Sequence, residues 1–432
     1  MKHNASLGSV DAALLTIALI PMLLVPNASA RNKYKSLHMF NGGNDGRGVQ
    51  SGLTLDQKGN LYGTTGGGGP NNGGTVFKLS PNADGSWTES VLYSFCSLSN
   101  CGDGAEPFAS LILDHAGNLY GTTEQGGTNY GGLGGTVFSL TPNLDGTWTE
   151  SVLYDFCSLS NCGDGIAPYA SLILDQEGSL YGTTIGGGAN QEGTVFKLTP
   201  NVDGTWTESV LYSFCSVARC FDGRNPVAAL TSDQAGNLYG TTQYGGNSSG
   251  NGTVFKLTLH QDGSWTHQVL HSFCSRSNCS DGGFPMGAVI FDQAGNLYGT
   301  TREWPAGGLV FELAQSKGGG WTEQVLHTFC FRTSCSYGDA PMSSLIFDQA
   351  GNLYGTTAIG GNTGDCNFGC GVVFRLTPSS KGRWKETVLH RFADHPGAIP
   401  LAGVIFDAAG NLFGTTFGDV NKTQGSVFEI AP

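Results

Sequence analysis

Gly117-Asn118-Leu119-Tyr120-Gly121-Thr122-Thr123 is the stretch that decides the fold, because the chain repeats it. The same GNLYGTT string begins at Gly59, Gly236, Gly295 and Gly351, and recurs with one change at Gly178 (GSLYGTT) and Gly410 (GNLFGTT). That makes seven copies, 56 to 61 residues apart. Working outward, three more segments recur with the same period. An apolar run such as Ala109–Asp114 (ASLILD) precedes each copy, and GTVFKL (Gly74–Leu79) and WTESVLYSF (Trp87–Phe95) follow it. All four segments are short, rich in β-branched and aromatic residues, and bounded by turn residues, the pattern of strands. DQAGN makes a tight turn between the first two, a Gly-rich stretch joins the second to the third, and NADGSW carries an Asp-Gly turn between the third and fourth. Each repeat is therefore predicted to be a four-stranded antiparallel meander, strands A to D.

Seven such sheets around an axis make an all-β, seven-bladed β-propeller. The two chain ends support a closed ring. Tyr34–Phe40 (YKSLHMF) aligns with strand D, while Gly425–Ile430 (GSVFEI) aligns with strand C, so the N-terminal strand completes the last blade. The glycine inside strand B (Gly63, Gly121, Gly182, Gly240, Gly299, Gly355, Gly414) predicts close approach by an aromatic of the next blade. The Thr pair after it is expected to bond between strands, and the tryptophans that open strand D to pack at the hairpin.

Composition excludes several classes. Glycine is 68 of 432 residues, charged residues are 13%, aromatics 10%, and the net charge is −13. Few basic residues argue against nucleic-acid binding, and the aromatic content argues against disorder. The glycine has no three-residue period, which excludes collagen.

The N-terminus reads as a secretory signal over residues 1–30, with Lys2 and His3, an apolar stretch from Ala12 to Val25, and the small-residue site Ala28-Ser29-Ala30. The remainder, residues 31–432, is read as one propeller domain with no membrane span, secreted to the periplasm or beyond. The 12 cysteines agree with export. Five pairs share one spacing (Cys96/Cys101, Cys157/Cys162, Cys215/Cys220, Cys274/Cys279, Cys330/Cys335), and Cys366/Cys370 is a sixth. Zinc sites gather four ligands; here every pair belongs to a different repeat, so disulfides are expected.

The repeated LYGTT, GTVFKL and Asp-Gly-x-Trp elements resemble the GloVer (Gloeo/Verruco) repeat of exported bacterial choice-of-anchor tandem repeat proteins, over about residues 33–432. The resemblance implies a surface or secreted protein and no particular activity. The chain ends directly after strand C, without the anchor of that family, so free secretion is expected. Ser80–Trp87 also resembles, in degenerate form, the Asp-box of sialidase-type propellers, where the motif is structural.

Ligand sites in propellers usually sit where the D–A and B–C loops surround the tunnel mouth. Asp45, Asp103, Asp164, Asp222 and Asp281 lie in D–A loops and could attract Ca²⁺; the favoured reading is five Asx-type turns. His38, His271, His327 and His390 fill the strand-D slot held by Tyr93, Tyr154 and Tyr212, too far apart to share one ion. No H-E-x-x-H or P-loop is present. Function is then sought where repeats depart from their consensus: Arg302-Glu303-Trp304, Arg219 and Arg224, Asp394-His395, Arg47, and Glu124, Tyr130 and Tyr244. Aromatics, guanidinium groups and carboxylates together suit a sugar or uronic acid, against the alternative of ordinary loop drift. Two function classes follow. The first is a non-catalytic, monomeric binding or scaffold module for extracellular glycan or protein. The second is a polysaccharide lyase or hydrolase using His395, Glu303, Asp394 and Tyr244 as acid and base.

Overall fold

The computed structural model describes residues 33–303, 307–316, 318–330, 335–361, 366, 368–379, 382–393, 397–418 and 424–431. Seven four-stranded antiparallel sheets, each in the order A-B-C-D, form a seven-bladed propeller. In blade 2 the strands are Ile112–Leu113, Leu119–Thr123, Thr136–Pro142 and Trp148–Asp155. Blade 7 takes its strand D from Lys33–Met39, which pairs antiparallel with Ser426–Ala431 in the register Lys33↔Ala431 to Met39↔Ser426. The expected ring closure is thus observed.

Strand A is shorter than its apolar run suggests, with only two residues paired to strand B in each blade. The reason is crowding at the axis, where the rest of the run bonds sideways to neighbouring blades. The first Thr of each LYGTT motif donates its hydroxyl to a backbone carbonyl of the next blade. Thr64 bonds Ala109, Thr122 Ala170, Thr183 Ala228, Thr241 Gly287, Thr300 Ser343, Thr356 Ala402 and Thr415 Ser51, at 2.6–3.4 Å. The second Thr stays within its blade, as in Thr123 Oγ1 to Thr136 Oγ1 at 2.9 Å. The Thr pairs therefore bond between strands as expected, one of each pair doing so across a blade seam.

The core consists of seven clusters, each straddling two blades. At the centre of each is an inclined pair of buried phenylalanines. The Phe that ends strand D meets the Phe of the next blade's strand C: Phe95–Phe138, Phe156–Phe196, Phe214–Phe255, Phe273–Phe311, Phe329–Phe374, Phe392–Phe428 and Phe40–Phe77, with centroids 4.9–5.1 Å apart. Their tilts suit the ring quadrupole. The strand-B glycine exists for this pair, with one correction to the expectation. The aromatic that approaches it belongs to its own blade, since Gly121 faces Phe138 directly across the B–C ladder. A Cβ on Gly121 would lie 2.6 Å from Phe138 Cζ and 2.9 Å from Leu111 Cδ2. The strand-D tryptophans also pack across seams rather than only at their hairpin, as Trp148 does on Tyr62 and Trp206 on Tyr120.

The cysteines pair as expected, in six disulfides: Cys96–Cys101, Cys157–Cys162, Cys215–Cys220, Cys274–Cys279, Cys330–Cys335 and Cys366–Cys370. One feature departs from an all-strand repeat. The second cysteine of four pairs is not plain loop but the last residue of a short 3₁₀ turn: Ser99–Cys101, Ser160–Cys162, Ala218–Cys220 and Ser277–Cys279. Cys101, Cys162, Cys220 and Cys279 all take positive φ there, 54°, 50°, 53° and 49°. The short ring demands it, because a bridge over five residues closes only if the chain doubles back. The bridge in turn holds that left-handed backbone against its steric cost. Each turn also anchors the rest of the loop. The carbonyls of Cys101, Cys162, Cys220 and Cys279 accept the amides of Gly104, Gly165, Gly223 and Gly282 at 2.8–2.9 Å.

Gly121→Ala should cost about 1–3 kcal/mol by overpacking, read as a fall in the unfolding midpoint. Gly121→Ala with Phe138→Leu should cost less than the sum of the single changes, because the smaller side chain vacates the space the methyl needs. Strict additivity would show that the ring is not the obstacle.

Candidate functional site

The D–A and B–C loops meet at one end of every blade. Antiparallel bridges join them at Arg47↔Gly67, Ala105↔Gln125, Ile166↔Gly186, Arg224↔Tyr244, Gly283↔Glu303 and Asp339↔Ile359. At one equivalent position per blade, Gln50, Phe108, Tyr169, Val227, Met286, Met342 and Leu401 form a collar, and with the mostly small residues that follow them they line a tunnel cavity of about 270 Å³. The collar is uneven. Tyr169 donates its hydroxyl to Gln50 Oε1 at 2.9 Å, and its ring lies 5.6 Å from that of Phe108; the other four positions are aliphatic or thioether. Two further positions lie behind the collar. One follows the Thr pair, and there a Cβ on Gly66 would run into Phe108. The other precedes the loop proline at positive φ, as at Glu106 (57°), Asn225 (53°) and Phe284 (57°). Backbone hydrogen bonds pin that conformation, Glu106 N–H to Gly73 O at 2.9 Å and Glu124 N–H to Glu106 O at 3.1 Å. The side chains at both positions vary from blade to blade, so chemistry is written there on a constant backbone.

Of the sequence candidates, Arg224 and Tyr244 are brought together. The guanidinium lies 5.3 Å from the ring centroid and 3.4 Å from Glu192 Oε1, and Tyr244 meets Phe284 edge-on at 5.6 Å. Arg302 and Glu303 form a 3.7 Å ion pair with each other, and Glu303 helps raise the carboxyl of Asp339, after burial. Arg47 donates to Asn72 Oδ1 at 2.8 Å. Arg219 is an exposed residue of the disulfide loop at φ 59°. Burial, then the neighbouring Glu106, raises the Glu124 carboxyl. Trp304, Asp394 and His395 lie outside the described residues. Glu106, Phe108, Tyr169, Glu192 and Phe284 were missed by the sequence reading. The signal that could have found all but Glu192 is blade-to-blade variation beside the loop proline.

The disulfide loops form part of this face. In blades 2 and 3 the space between the disulfide loop and the B–C loop forms two equivalent clefts of about 560 and 540 Å³. Ser99, Asn100, Gln125 and Thr128 line the first; Ser160, Asn161, Gln191 and Tyr130 line the second. Cys101 and Cys162 sit at the back of the two clefts and tie them to the B–C loops, their carbonyls accepting the amides of Gly127 and Gly188 at 2.9 and 2.8 Å. Tyr130, 61% exposed, comes from the B–C loop of blade 2 and stands at the cleft of blade 3. Gln191 is held by bonds to the carbonyls of Asn161 and Gly188, at 2.7 and 3.0 Å.

The model of the Gloeobacter/Verrucomicrobia repeat family matches residues 27–163, 90–304 and 276–432. The chain belongs to this family. No curated protein sequence matches it. Among solved structures, one from Bacteroides uniformis named as a 6-phosphogluconolactonase is similar, with 14% identity over 78% of this chain and 83% of that one, and a TM-score of 0.48. A luciferin-regenerating enzyme is similar over 74% and 90%, with 14% identity and a TM-score of 0.44. At these scores neither likeness bears on activity.

The five loop aspartates of this Gloeobacter/Verrucomicrobia repeat chain occupy five separate seams. Asp103 is buried and accepts from the Tyr93 hydroxyl, the Ser97 amide and hydroxyl, and the Leu98 amide. Asp164 repeats this with Tyr154, Ser158 and Leu159, and Asp222 with Tyr212 and Ser216. Asp281 accepts from Ser275 and Arg276 and lies 3.5 Å from His271. Asp45 accepts from the Asn41 amide and lies 3.6 Å from His38. These bonds are those of turn-forming aspartates.

A second carboxyl comes to each of three seams from strand D of the next blade. Burial, then the facing aspartate, raises Glu89 (beside Asp45) and Glu150 (beside Asp103) to about 7, and Glu208 (beside Asp164) to about 8. Elsewhere the slot is resolved differently: His267 stacks on Tyr212 at 4.3 Å, Glu323 pairs with Arg276 at 2.7 Å, Glu386 with His327 at 3.2 Å, and Tyr34 stacks on His390 at 3.9 Å.

The folded protein holds a proton on Glu150 that the unfolded chain releases above its ordinary 4.5. The stability it gives is fully present below about pH 4.5 and is lost as pH rises to about 7. Glu150→Gln should therefore leave stability unchanged at pH 4 and raise it at pH 8 by about 1–2 kcal/mol, after discounting for solvent screening. Denaturant unfolding at the two pH values checks this; an equal effect at both would remove the seam proton from the account.

Proposed function

We propose that this protein is an exported, non-catalytic propeller that binds extracellular glycan at its loop face. The observation that carries the reading is the pair of equivalent clefts on blades 2 and 3. Their volumes suit a small-molecule site. Their walls offer neutral amide and hydroxyl groups with exposed backbone, the chemistry that matches sugar hydroxyls, and Tyr130 offers an aromatic face for the apolar side of a ring. Repetition on adjacent blades suits a repeating polymer, where two weak sites add through effective concentration. The Arg224–Tyr244–Phe284 cluster lies farther round the same face and offers a hold for a further residue of such a chain. Six disulfides suit an oxidising compartment, and the signal-like residues 1–30 supply the route. No helix among the described residues is long and apolar enough to cross a membrane.

The test is retention of the protein, from Arg31 onward, on a panel of plant and bacterial polysaccharides, with polymer length measured before and after. Retention on at least one polymer with chain length unchanged is expected. Tyr130→Ala should weaken retention about tenfold, the equivalent of one lost stacking contact. Shortened polymers would replace this reading with a lyase or hydrolase, located by Glu303→Gln and His395→Ala. No retention on any polymer would leave an extracellular protein as the ligand to seek.

A further inference from the structure

We infer that the tunnel chamber behind the collar is a seat for a neutral aromatic ring that carries an oxygen acceptor, such as an aromatic ester. A phenylalanine and a tyrosine from neighbouring blades form one wall, and blade 1 holds both in place. The Phe108 ring lies in the space that Gly66 leaves, since a Cβ there would run into it. The other six blades carry a side chain at the position of Gly66: Glu124, Ile185, Gln243, Arg302, Ala358 and Phe417. Tyr169 reaches from blade 3 past blade 2. It donates its hydroxyl to Gln50 Oε1 of blade 1 at 2.9 Å, and its ring lies 5.6 Å from that of Phe108. Across the axis the wall is Met286 and Met342, and thioethers pack favourably at ring edges. Two rings fixed by two departures in a third blade make a built surface.

The chamber measures about 270 Å³, and among the described residues no charged side chain lines it. An apolar cavity of roughly 150 Å³ already holds benzene, so there is room for one substituted ring. A charged ligand would lose its hydration with nothing to offset the loss. A sugar fits no better, because the serine hydroxyls of the wall are already engaged. Ser110 Oγ accepts the Gly52 amide at 2.8 Å, Ser171 Oγ the Ser110 amide at 2.9 Å and Ser344 Oγ the Ala288 amide at 3.0 Å. Ser51 and Ser343 bond Thr64 and Thr356. Burial, and then the charge of Glu124, pushes the Tyr169 phenol up to about 12, so it stays a donor to Gln50. With Gln50 Oε1 taken in this way, Nε2 has no partner among the described residues and is the donor left for a ligand oxygen.

The test is direct titration of the protein, from Arg31 onward, with methyl benzoate, methyl cyclohexanecarboxylate and benzoate. Methyl benzoate should bind saturably at one site. Methyl cyclohexanecarboxylate, which keeps the ester and loses the aromatic face, should bind about fivefold more weakly. Benzoate, which brings a charge, should bind more weakly by about tenfold or more. Gln50→Leu should weaken methyl benzoate about fivefold by removing the donor, and Ala229→Leu should abolish its binding by filling the chamber. Leu144→Ala, at an exposed hairpin tip, should change nothing. Unfolding curves show which variants fold, and Gln50→Leu carries the test if Ala229→Leu does not. No saturable binding, equal binding of methyl benzoate and either comparison ligand, or binding that survives Ala229→Leu in a folded protein overturns the seat. The source of the ring is read from retention on a polysaccharide bearing aromatic esters, before and after saponification; this arm alone rests on the proposed glycan function. Retention that falls on saponification places the ring on the glycan. Unchanged retention, with methyl benzoate still bound, makes the ligand a free molecule and leaves the glycan function standing. Methyl benzoate bound with no polymer retained keeps the seat and removes the glycan.

Discussion

Everything in this ring depends on one steric exchange, a glycine that gives its side-chain space to the phenylalanine opposite. Gly121 lets Phe138 lie flat over strand B, and from there its ring reaches Phe95 of the preceding blade. A methyl at the glycine would lift the ring and open the seam. Because the exchange occurs in all seven blades, the ring has no master core. Each seam buries its own cluster and is stabilised by contacts with its two neighbours only, in the manner of a repeat array bent until its ends meet. The threonine-to-carbonyl bonds run round the axis in the same sense, and the bond from Thr415 to Ser51 closes the circle. The buried carbonyls at the axis, which strand pairing leaves free, are satisfied by that side chain rather than by longer strands.

Outside the phenylalanines each seam has a polar layer, and there the repeats are free to differ. The tyrosine or histidine slot of one blade faces a glutamate, histidine or tyrosine of the next. The combinations are chemically compatible. A buried aspartate with a facing glutamate retains a proton; an arginine turns the same glutamate into an ion pair; and Tyr337, which replaces the aspartate before blade 6, leaves His327 and Glu386 to pair directly. A histidine in the strand-D slot is thus a seam residue: His327 and His390 take their partners from the adjacent blade, and His38 and His271 from the loop aspartate at the seam.

The propeller was legible because its signals are multiplied. A single GNLYGTT is a weak strand, whereas seven copies with matched flanks and complementary ends define a ring. The cysteine pairs were legible for the same reason, although the 3₁₀ turns that end at Cys101, Cys162, Cys220 and Cys279 were not, since spacing fixes which sulfurs meet but not the backbone between them. The owner of the aromatic over Gly121 was also hidden, because the register that sets Gly121 against Phe138 is not a matter of spacing. The site was legible only in part. Arg224 and Tyr244 belong to different loops and meet because a backbone bridge joins them. Glu124 stood out as a departure, but its neighbours Glu106 and Tyr169 flank Pro107 and Pro168 in segments that look like constant loop punctuation. Positive φ at the residue before each proline, Glu106 and Ala167, shapes those loops, a backbone property that the identity of the residue does not announce.

The distribution of variation argues for binding at the loop face. A glycine, a phenylalanine and two threonines per blade meet the demands of the ring, so the collar and the two positions behind it are released from structural duty. Had the collar itself drifted without selection, its polar and apolar side chains should scatter evenly round the axis. Instead the collar is polar and aromatic at Gln50, Phe108 and Tyr169 and aliphatic or thioether at Val227, Met286, Met342 and Leu401. The two clefts and the Tyr169–Gln50 bond fall together on the polar side. A fold with sevenfold sameness can present a directional surface only by breaking that sameness in contiguous blades; at the collar that break runs through blades 1 to 3, and the Arg224–Tyr244 and Arg302–Glu303 departures carry it outward into blades 4 and 5.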